Sequence, residues 1–468
     1  MNEKHSSTAD HEYDEEGVLQ ANHDFAVVQP NDVFGNEAGH AIKYKTLSWP
    51  MVAVLMITEI VSNGMLSLPQ SGGAVGLIPN VILIVFLGIF GTFTAYLLVQ
   101  FKLNHPEVHN MGDAGYIMFG PIGREILAAG TVLFAIFATG SQLIAGELAL
   151  ATLSDSSLCL MLYTGIFAIP ITICSFPRTL DRLSWLSIPA TFSILIAGLV
   201  GMIGAGVNPV PGRTVSLTHS QTFINAFGSV ANPVFAYAGH FMFFILISEM
   251  RNPRDAMKAA YVLQGFATTF YAVFAIQQHW YLGDGVASPS LLSLPPKWQK
   301  AAFAIAIPNF LIAGSLYSHT AAKLIFLRLF RNSKHLHSHT VMGWCTWNVL
   351  VLVMNAAAFV LAVGIPVFPY LVGIAASLFA SWYTYGIAGT FWLHDSYYVT
   401  GLGTAGWRRQ PIMFVLSVLT FIAGGFICVA GLYTFIELIK AAYDSGTVGS
   451  PFLCYSAPPP SGNSTSSG

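Results

Sequence analysis

The sequence predicts an all-α membrane protein of eleven transmembrane helices, and three observations predict it. Of 468 residues, 54% are hydrophobic and only 9% are charged, whereas a soluble domain carries about 25% charged residues. The apolar residues gather in eleven runs separated by polar or Gly/Pro-marked joints, each near the roughly 20 residues that cross a bilayer. Charge placement is the third: with the N-terminus set inside, sixteen of the 20 Lys and Arg residues fall on the inner side, the positive-inside pattern. This composition disfavours a soluble enzyme, a nucleic-acid binder and a disulfide-stapled secreted module. The net charge of -2 says nothing about partners, because the distribution of charge matters here and its sum does not.

In chain order, residues 1–45 are polar and acidic, with Glu12, Asp14, Glu15 and Glu16 close together. So few apolar side chains cannot offset the entropy of ordering, and a disordered cytoplasmic tail is expected. No cleavable signal peptide is expected before the first apolar run. The membrane domain, 46–440, then contains Leu47–Ser71, Leu77–Phe101, Glu125–Leu153, Leu158–Phe176, Trp185–Val207, Phe223–Met250, Ala259–Tyr281, Ala301–Leu327, Met342–Ile365, Pro366–Trp392 and Pro411–Ile439. Hydrocarbon offers no partner for backbone groups, so each run must be helical; the alternation of a membrane barrel is absent. An odd number of spans places a disordered tail, 441–468, outside the cell, where Asn463-Ser464-Thr465 forms a glycosylation sequon. Cys159 and Cys454 could pair if both lie on that side. No CxxC or paired metal spacing is present, so no metal site is signalled.

Two spans are not plain. The first reads TEIVSNGMLSLPQSGG over 58–73, with Gly64 at mid-span and Pro69 five residues on. The sixth reads NPVFAYAGH over 232–240. Spans one and six are an odd number of spans apart, so two units of five would enter the membrane in opposite directions. Interruptions at matching positions of two halves point to the binding site of a secondary transporter. Unwinding at the midplane frees backbone groups and is tolerable only beside a cavity or ligand. A half-helix starting near Met65 would aim its positive end at a carboxylate, while freed carbonyls would take an ammonium group. The pair suits a zwitterion. Gly64 or Gly239 alone could serve close helix packing; both breaks together, flanked by Ser, Asn and His, favour the site.

SNGMLSLPQSGGAVG resembles the first-span signature of the amino acid/auxin permease family. GDAGYIMFGPIGR, FAYAGH and EMRNPRDAMKAA resemble that family's segments between spans two and three, at the sixth-span break and at the joint after it. The likeness runs from about Lys45 to Lys440 and is nearest to the fungal neutral amino acid permeases. It implies a five-plus-five inverted repeat with discontinuous helices 1 and 6 plus an extra C-terminal helix. It also implies proton-coupled uptake of neutral amino acids and favours the plasma membrane; Phe235 and Tyr237 would offer an aromatic wall that suits aromatic substrates too. Animal members that use sodium are recognised through spans one and eight, and Ser318, His319 and Thr320 establish no sodium set here.

The expected carboxylate cradle is Ser62, Asn63, Gly64, Met65 and Ser67. Phe235, Ala236, Tyr237, Gly239 and His240 would face the ammonium group and the substrate side chain. Phe137 and Ser141 of span three, with Ser315 and Ser318 of span eight, should pass at the same depth, although ordinary helix packing is the simpler account of those four. Glu59 lies one turn before the first break, where a carboxylate costs roughly 2.5–3.5 kcal/mol to insert; gaining and losing a proton there would couple transport. A structural hydrogen bond is the plainer alternative. His240 could change charge near neutral pH or merely hold unwound backbone. Glu147 could line an outer vestibule, take part in proton coupling, or simply pair with a hydroxyl. Glu249 could form an inner ion pair beside Arg251 and Arg254, and Lys323 is expected to snorkel. His335, His337 and His339 alternate in an inner loop with no carboxylate or thiol to complete a metal set.

No Walker A, HExxH or GxSxG motif is present, so an ATP-driven pump and the corresponding hydrolases lack their parts. The expected partners are neutral amino acids, protons and membrane lipid, with no cofactor, metal or nucleic acid. A vacuolar exporter and an amino-acid receptor on a transporter scaffold remain the competing readings.

Overall fold

A computed structural model describes residues 33–35, 37, 41–331, 333–365, 367–445, 452 and 454. Regular structure among them is helical, apart from one isolated parallel bridge between Leu47 and Met250. Ten helical segments are long and apolar enough to cross a membrane, and a shorter apolar helix, Leu160–Ser175, occupies the expected fourth span.

The first span is broken as expected. Helix α1 (Trp49–Ile60) stops, a tight 3-10 turn covers Asn63–Ser67, and α2 (Leu68–Val75) resumes with Pro69 in its first turn. Proline fits there because the N–H it lacks has no helical partner anyway. Spans two to five are α3 (Leu77–Asn104), α4 (Met111–Leu153), α5 (Leu160–Ser175) and α6 (Leu180–Val207). The sixth span is also broken: α7 (Phe223–Ala236) ends, His240–Met242 form a 3-10 turn, and α8 (Phe243–Ser248) follows. Spans seven and eight are α9 (Ala256–Leu282) and α10 (Pro296–Phe330); after a short inner helix, α11 (Lys334–His337), span nine is α12 (Val341–Gly364). Span ten is α13 (Phe368–Ala375), a π-helical stretch over Ala376–Gly386, and α14 (Ile387–Tyr398). After the small α15 (Thr404–Arg409), α16 (Pro411–Asp444) forms span eleven.

The joint between spans two and three is helical rather than a loop. Asn110 caps α4, accepting the N–H groups of Gly112 and Asp113, and the chain bends at Gly120, whose φ of 68° only glycine adopts readily. Pro121 then opens the membrane-crossing part. The breaks sit at the centre of the bundle: α10 packs along both α4 and α6, while α1 lies against α6 and α9.

Order begins ahead of the expected boundary at residue 45. Phe34, Ile42 and Tyr44 are buried, Phe34 stacks on Tyr44 at 4.7 Å, and the Glu37 carboxylate accepts the N–H of Tyr44 at 2.9 Å and of Lys45 at 3.0 Å. Two aromatic rings and a carboxylate that collects backbone donors hold the approach to the first span. Cys159 and Cys454 form a disulfide with their Cα atoms 5.4 Å apart. Residues 1–32 and the sequon at Asn463 lie outside the described residues.

Candidate functional site

The two breaks press against each other. A methyl group added at Gly64 would lie 3.2 Å from Ala236 Cα and 3.4 Å from Phe235 Cδ1; one added at Gly239 would lie 2.4 Å from Ile60 Cδ1 and 3.3 Å from Glu59 Oε1. The Tyr271 hydroxyl of α9 stands between them, 2.7 Å from the Ile60 carbonyl and 2.8 Å from the Ala236 carbonyl. Both carbonyls lie at the end of a helix, and that of Ile60 also accepts the Ser62 N–H at 3.0 Å.

The first break is also tied to the surrounding helices. Ser62 Oγ lies 2.6 Å from Asn309 Oδ1 and 3.2 Å from Gln142 Oε1, while Asn309 Nδ2 donates to the Thr58 carbonyl at 3.2 Å. Asn63 Nδ2 donates to Ser141 Oγ at 2.9 Å, and Asn63 Oδ1 accepts from Gln142 Nε2 at 3.1 Å. Tyr317 of α10 donates to the Glu59 carbonyl at 2.8 Å, and Ser67 Oγ to the Gly64 carbonyl at 2.7 Å. Both carboxyl oxygens of Glu59 are buried with no hydrogen-bond partner. Asn63 to Ser67 are all buried, so the junction is closed to water. The 3-10 turn leads directly into the resumed helix: Met65 N–H donates to the Ser62 carbonyl at 3.2 Å and Leu68 N–H to the Met65 carbonyl.

The structure therefore brings together Glu59, Ser62, Asn63, Gly64, Ser141, Phe235, Ala236 and Gly239, and it adds Tyr271, Tyr317, Asn309 and Gln142. It directs others elsewhere. Met65 is buried with its methyl group toward Gly198 of α6. The Tyr237 hydroxyl donates to the Ile84 carbonyl of α3 at 3.0 Å and lies 3.2 Å from Thr268 Oγ1. His240 belongs to the second break, but its Nε2 lies 2.9 Å from the Gly91 carbonyl and 3.3 Å from Thr94 Oγ1, and its ring stacks on Phe243. It braces span six to span two. Ser315 Oγ bonds the carbonyls of Ile171 and Leu311, Ser318 Oγ accepts from Asn355, and Glu147 pairs with Thr164 of α5. Phe137 packs on Phe379 at 5.4 Å.

Both ends of the broken helices are clasped. At one end, Leu47 N–H donates to the Glu249 carbonyl at 3.0 Å, and Arg251 N–H returns to the Leu47 carbonyl at 2.8 Å. Lys323 does not snorkel to water: it pairs with Glu249, both buried, and sits over the Tyr44 ring at 4.9 Å. At the opposite end, the loop after α6 covers the end of α2 through Leu77 N–H to Ser216 O at 2.9 Å and His219 N–H to Val75 O at 3.1 Å. Asp284 anchors that loop. Burial alone would raise its carboxyl, but donors from Ser216 N–H at 3.0 Å, the His279 ring at 2.8 Å and the Ser216 and Thr214 hydroxyls outweigh it and hold the pKa down at about 2. A cavity of about 800 Å³ opens beside this clasp, lined by Arg213, Asp284 and Gln299 among others. The three inner-loop histidines bond separately, His335 to Thr340, His337 to the Ile42 carbonyl and His339 to Trp344.

A family profile described as transmembrane amino acid transporter protein matches residues 45–437. An N amino acid transport system protein of Neurospora crassa is 29% identical over 89% of this chain and 90% of its own length. A vacuolar amino acid transporter 4 of Saccharomyces cerevisiae is 26% identical over 53% of this chain and 36% of its own. Among solved structures, a Na+-coupled sialic acid symporter in a substrate-bound outward-open state superposes with a TM-score of 0.54 at 11% identity, covering 87% of this chain and 94% of that one. That likeness is one of fold.

Proposed function

The chain belongs to the transmembrane amino acid transporter protein family, and on that premise we propose that it imports neutral L-amino acids, aromatic ones included, by proton symport. The observation that carries the reading is the junction of the two breaks, with the unpartnered Glu59 carboxyl beside Gly239. Substrate carboxylate takes the donors at Ser62–Met65, and the ammonium and side chain take the face at Phe235–Gly239. Binding then exchanges the bonds that Ser62 and Asn63 make to Asn309, Gln142 and Ser141.

The hydrogen bonds divide in a way that supports alternating access. Tyr271, Tyr237, His240 and Asn232 bond within spans one, two, six and seven. Ser62, Asn63, Thr58 and the Glu59 carbonyl bond across to spans three, five and eight. The first set keeps both breaks together as one body; the second is the set that a rocking motion breaks and remakes. Glu59 is the proton carrier in this scheme, with His240 and Glu147 as supports.

The test is uptake in a transport-null cell. Acid outside should speed uptake, and Glu59→Gln should abolish accumulation against a gradient while sparing exchange of labelled for unlabelled substrate. Normal accumulation by Glu59→Gln overturns the coupling role. The likeness to the vacuolar relative favours a second reading, export from the vacuole, in which the same residues serve at another membrane. Labelled substrate that binds and never accumulates would instead favour a receptor.

A further inference from the structure

Far from the breaks, the inner ends of spans two and ten meet in a cluster that transport chemistry does not use. His105 follows the last turn of α3, while His394 and Asp395 lie on α14. His105 Nε2 is 2.8 Å and His394 Nδ1 3.0 Å from the same oxygen, Asp395 Oδ1. Asn104 Nδ2 holds the other oxygen at 2.8 Å. One donor atom from each of the three residues lies within 4.8 Å of the others. The three side chains are only 12–15% exposed, and a cavity of about 360 Å³ lined by Asn104, Asp395, Arg409 and Gln410 reaches the carboxylate.

We propose that His105, His394 and Asp395 bind a divalent transition-metal ion, Zn2+ foremost, with water in the remaining position. Two imidazoles and a carboxylate are a ligand set that zinc takes, at about 2.0–2.2 Å per bond. A tetrahedral shell with bonds of that length sets neighbouring donors about 3.3 Å apart, so each imidazole moves a few tenths of an ångström from the shared oxygen, and the two nitrogens, within 4.8 Å of each other, settle to the same spacing. The ion replaces the hydrogens that now point at Asp395 Oδ1, each leaving to solvent or moving to the other ring nitrogen. Glu107, whose Oε1 is 3.6 Å from His105 Nδ1, faces the hydrogen once it sits on that nitrogen, and Asn104 keeps the carboxylate oriented. Outer partners of this kind fix the tautomer and aim of a ligating histidine. Sequence reading misses the set because His105 and Asp395 are 290 residues apart.

The consequence for transport rests on the function proposed above; the binding does not. Span two belongs to the body that rocks and span ten does not, so an ion bridging them holds the inner end of span two and slows turnover.

The experiment titrates the purified full-length protein in detergent with Zn2+ alone, by calorimetry and against a chromophoric chelator. One equivalent is expected, weakened by at least about tenfold in His105→Gln, His394→Gln and Asp395→Asn, since even outer partners carry about 10- to 100-fold in affinity. Each variant is checked by size exclusion and melting temperature, and Zn2+ should raise the melting temperature of the unsubstituted protein only. X-ray absorption of its zinc complex reports the ligands without any variant: imidazole nitrogen plus oxygen is expected. No bound zinc, sulfur in the shell, or an affinity indifferent to all three substitutions overturns the site. Binding without slowed uptake in proteoliposomes leaves the site standing and overturns the bridging consequence, whereas uptake absent at every zinc concentration tells against the transport reading alone.

Discussion

One hydroxyl joins the two breaks. Tyr271 reaches the carbonyls of Ile60 and Ala236, and Tyr271→Phe leaves both without this donor in a buried place. The Ile60 carbonyl keeps the Ser62 N–H at 3.0 Å, but the Ala236 carbonyl loses this donor. A buried group left unpaired costs about 1–3 kcal/mol, so the variant should melt at a lower temperature in detergent and lose most of its uptake. Tyr237→Phe, which keeps the ring in the second break and removes only the hydroxyl's bonds to Ile84 and Thr268, should melt lower as well yet keep more uptake. Full uptake by Tyr271→Phe would show that the breaks do not depend on it. Ser62, Asn63 and Gly64 are legible in the sequence because small polar residues crowd around a glycine and a proline inside an apolar run. Asn309, Gln142, Tyr271 and Tyr317 are not, because each lies in a long helix with no glycine–proline break beside it to show that its side chain faces the site. Tyr237 and Ser315 fail for a related reason. Their depth follows from spacing, but the rotation of a helix buried on most sides does not, and both side chains turn toward other neighbours.

At the scale of elements, the broken helices were predictable since glycine and proline weaken propagation where they occur. The clasps over their ends were not, because they join loops distant in sequence through backbone groups that every residue carries. The helical joint that bends at Gly120, the π-helical stretch Ala376–Gly386 and the packed segment before residue 46 were hidden likewise. The outer clasp makes a pH prediction. Asp284 is held at about 2 against an ordinary 3.8, so the folded state binds its proton less readily than the unfolded one. Its stabilisation is complete above about pH 4 and is lost as pH falls toward 2. Amide hydrogen exchange at 214–219 should therefore accelerate through that window, and Asp284→Asn should exchange rapidly at every pH. Exchange that stays slow in Asp284→Asn would show that the backbone bonds alone hold the loop.

At the scale of the whole molecule, two independent features support the proposed orientation, with the N-terminus in the cytoplasm. Sixteen of the 20 Lys and Arg residues fall on one side, which is the cytoplasmic side of a polytopic protein. The Cys159–Cys454 disulfide lies on the opposite side by span order, and disulfides persist in oxidising compartments rather than in cytosol. Cys345 is exposed one turn into α12, just past the inner loop, and is free. A membrane-impermeant maleimide thus separates the two faces and the two candidate membranes. On intact cells with the protein at the surface, Cys159 and Cys454 should label only after reduction, and Cys345 only after permeabilisation, with Cys345→Ser identifying its band. The reverse pattern sinks the cytoplasmic N-terminus. If intact cells label at none of the three even after reduction, while isolated vacuoles label Cys345 without permeabilisation, the protein works at the vacuolar membrane and substrate leaves the lumen through the same junction.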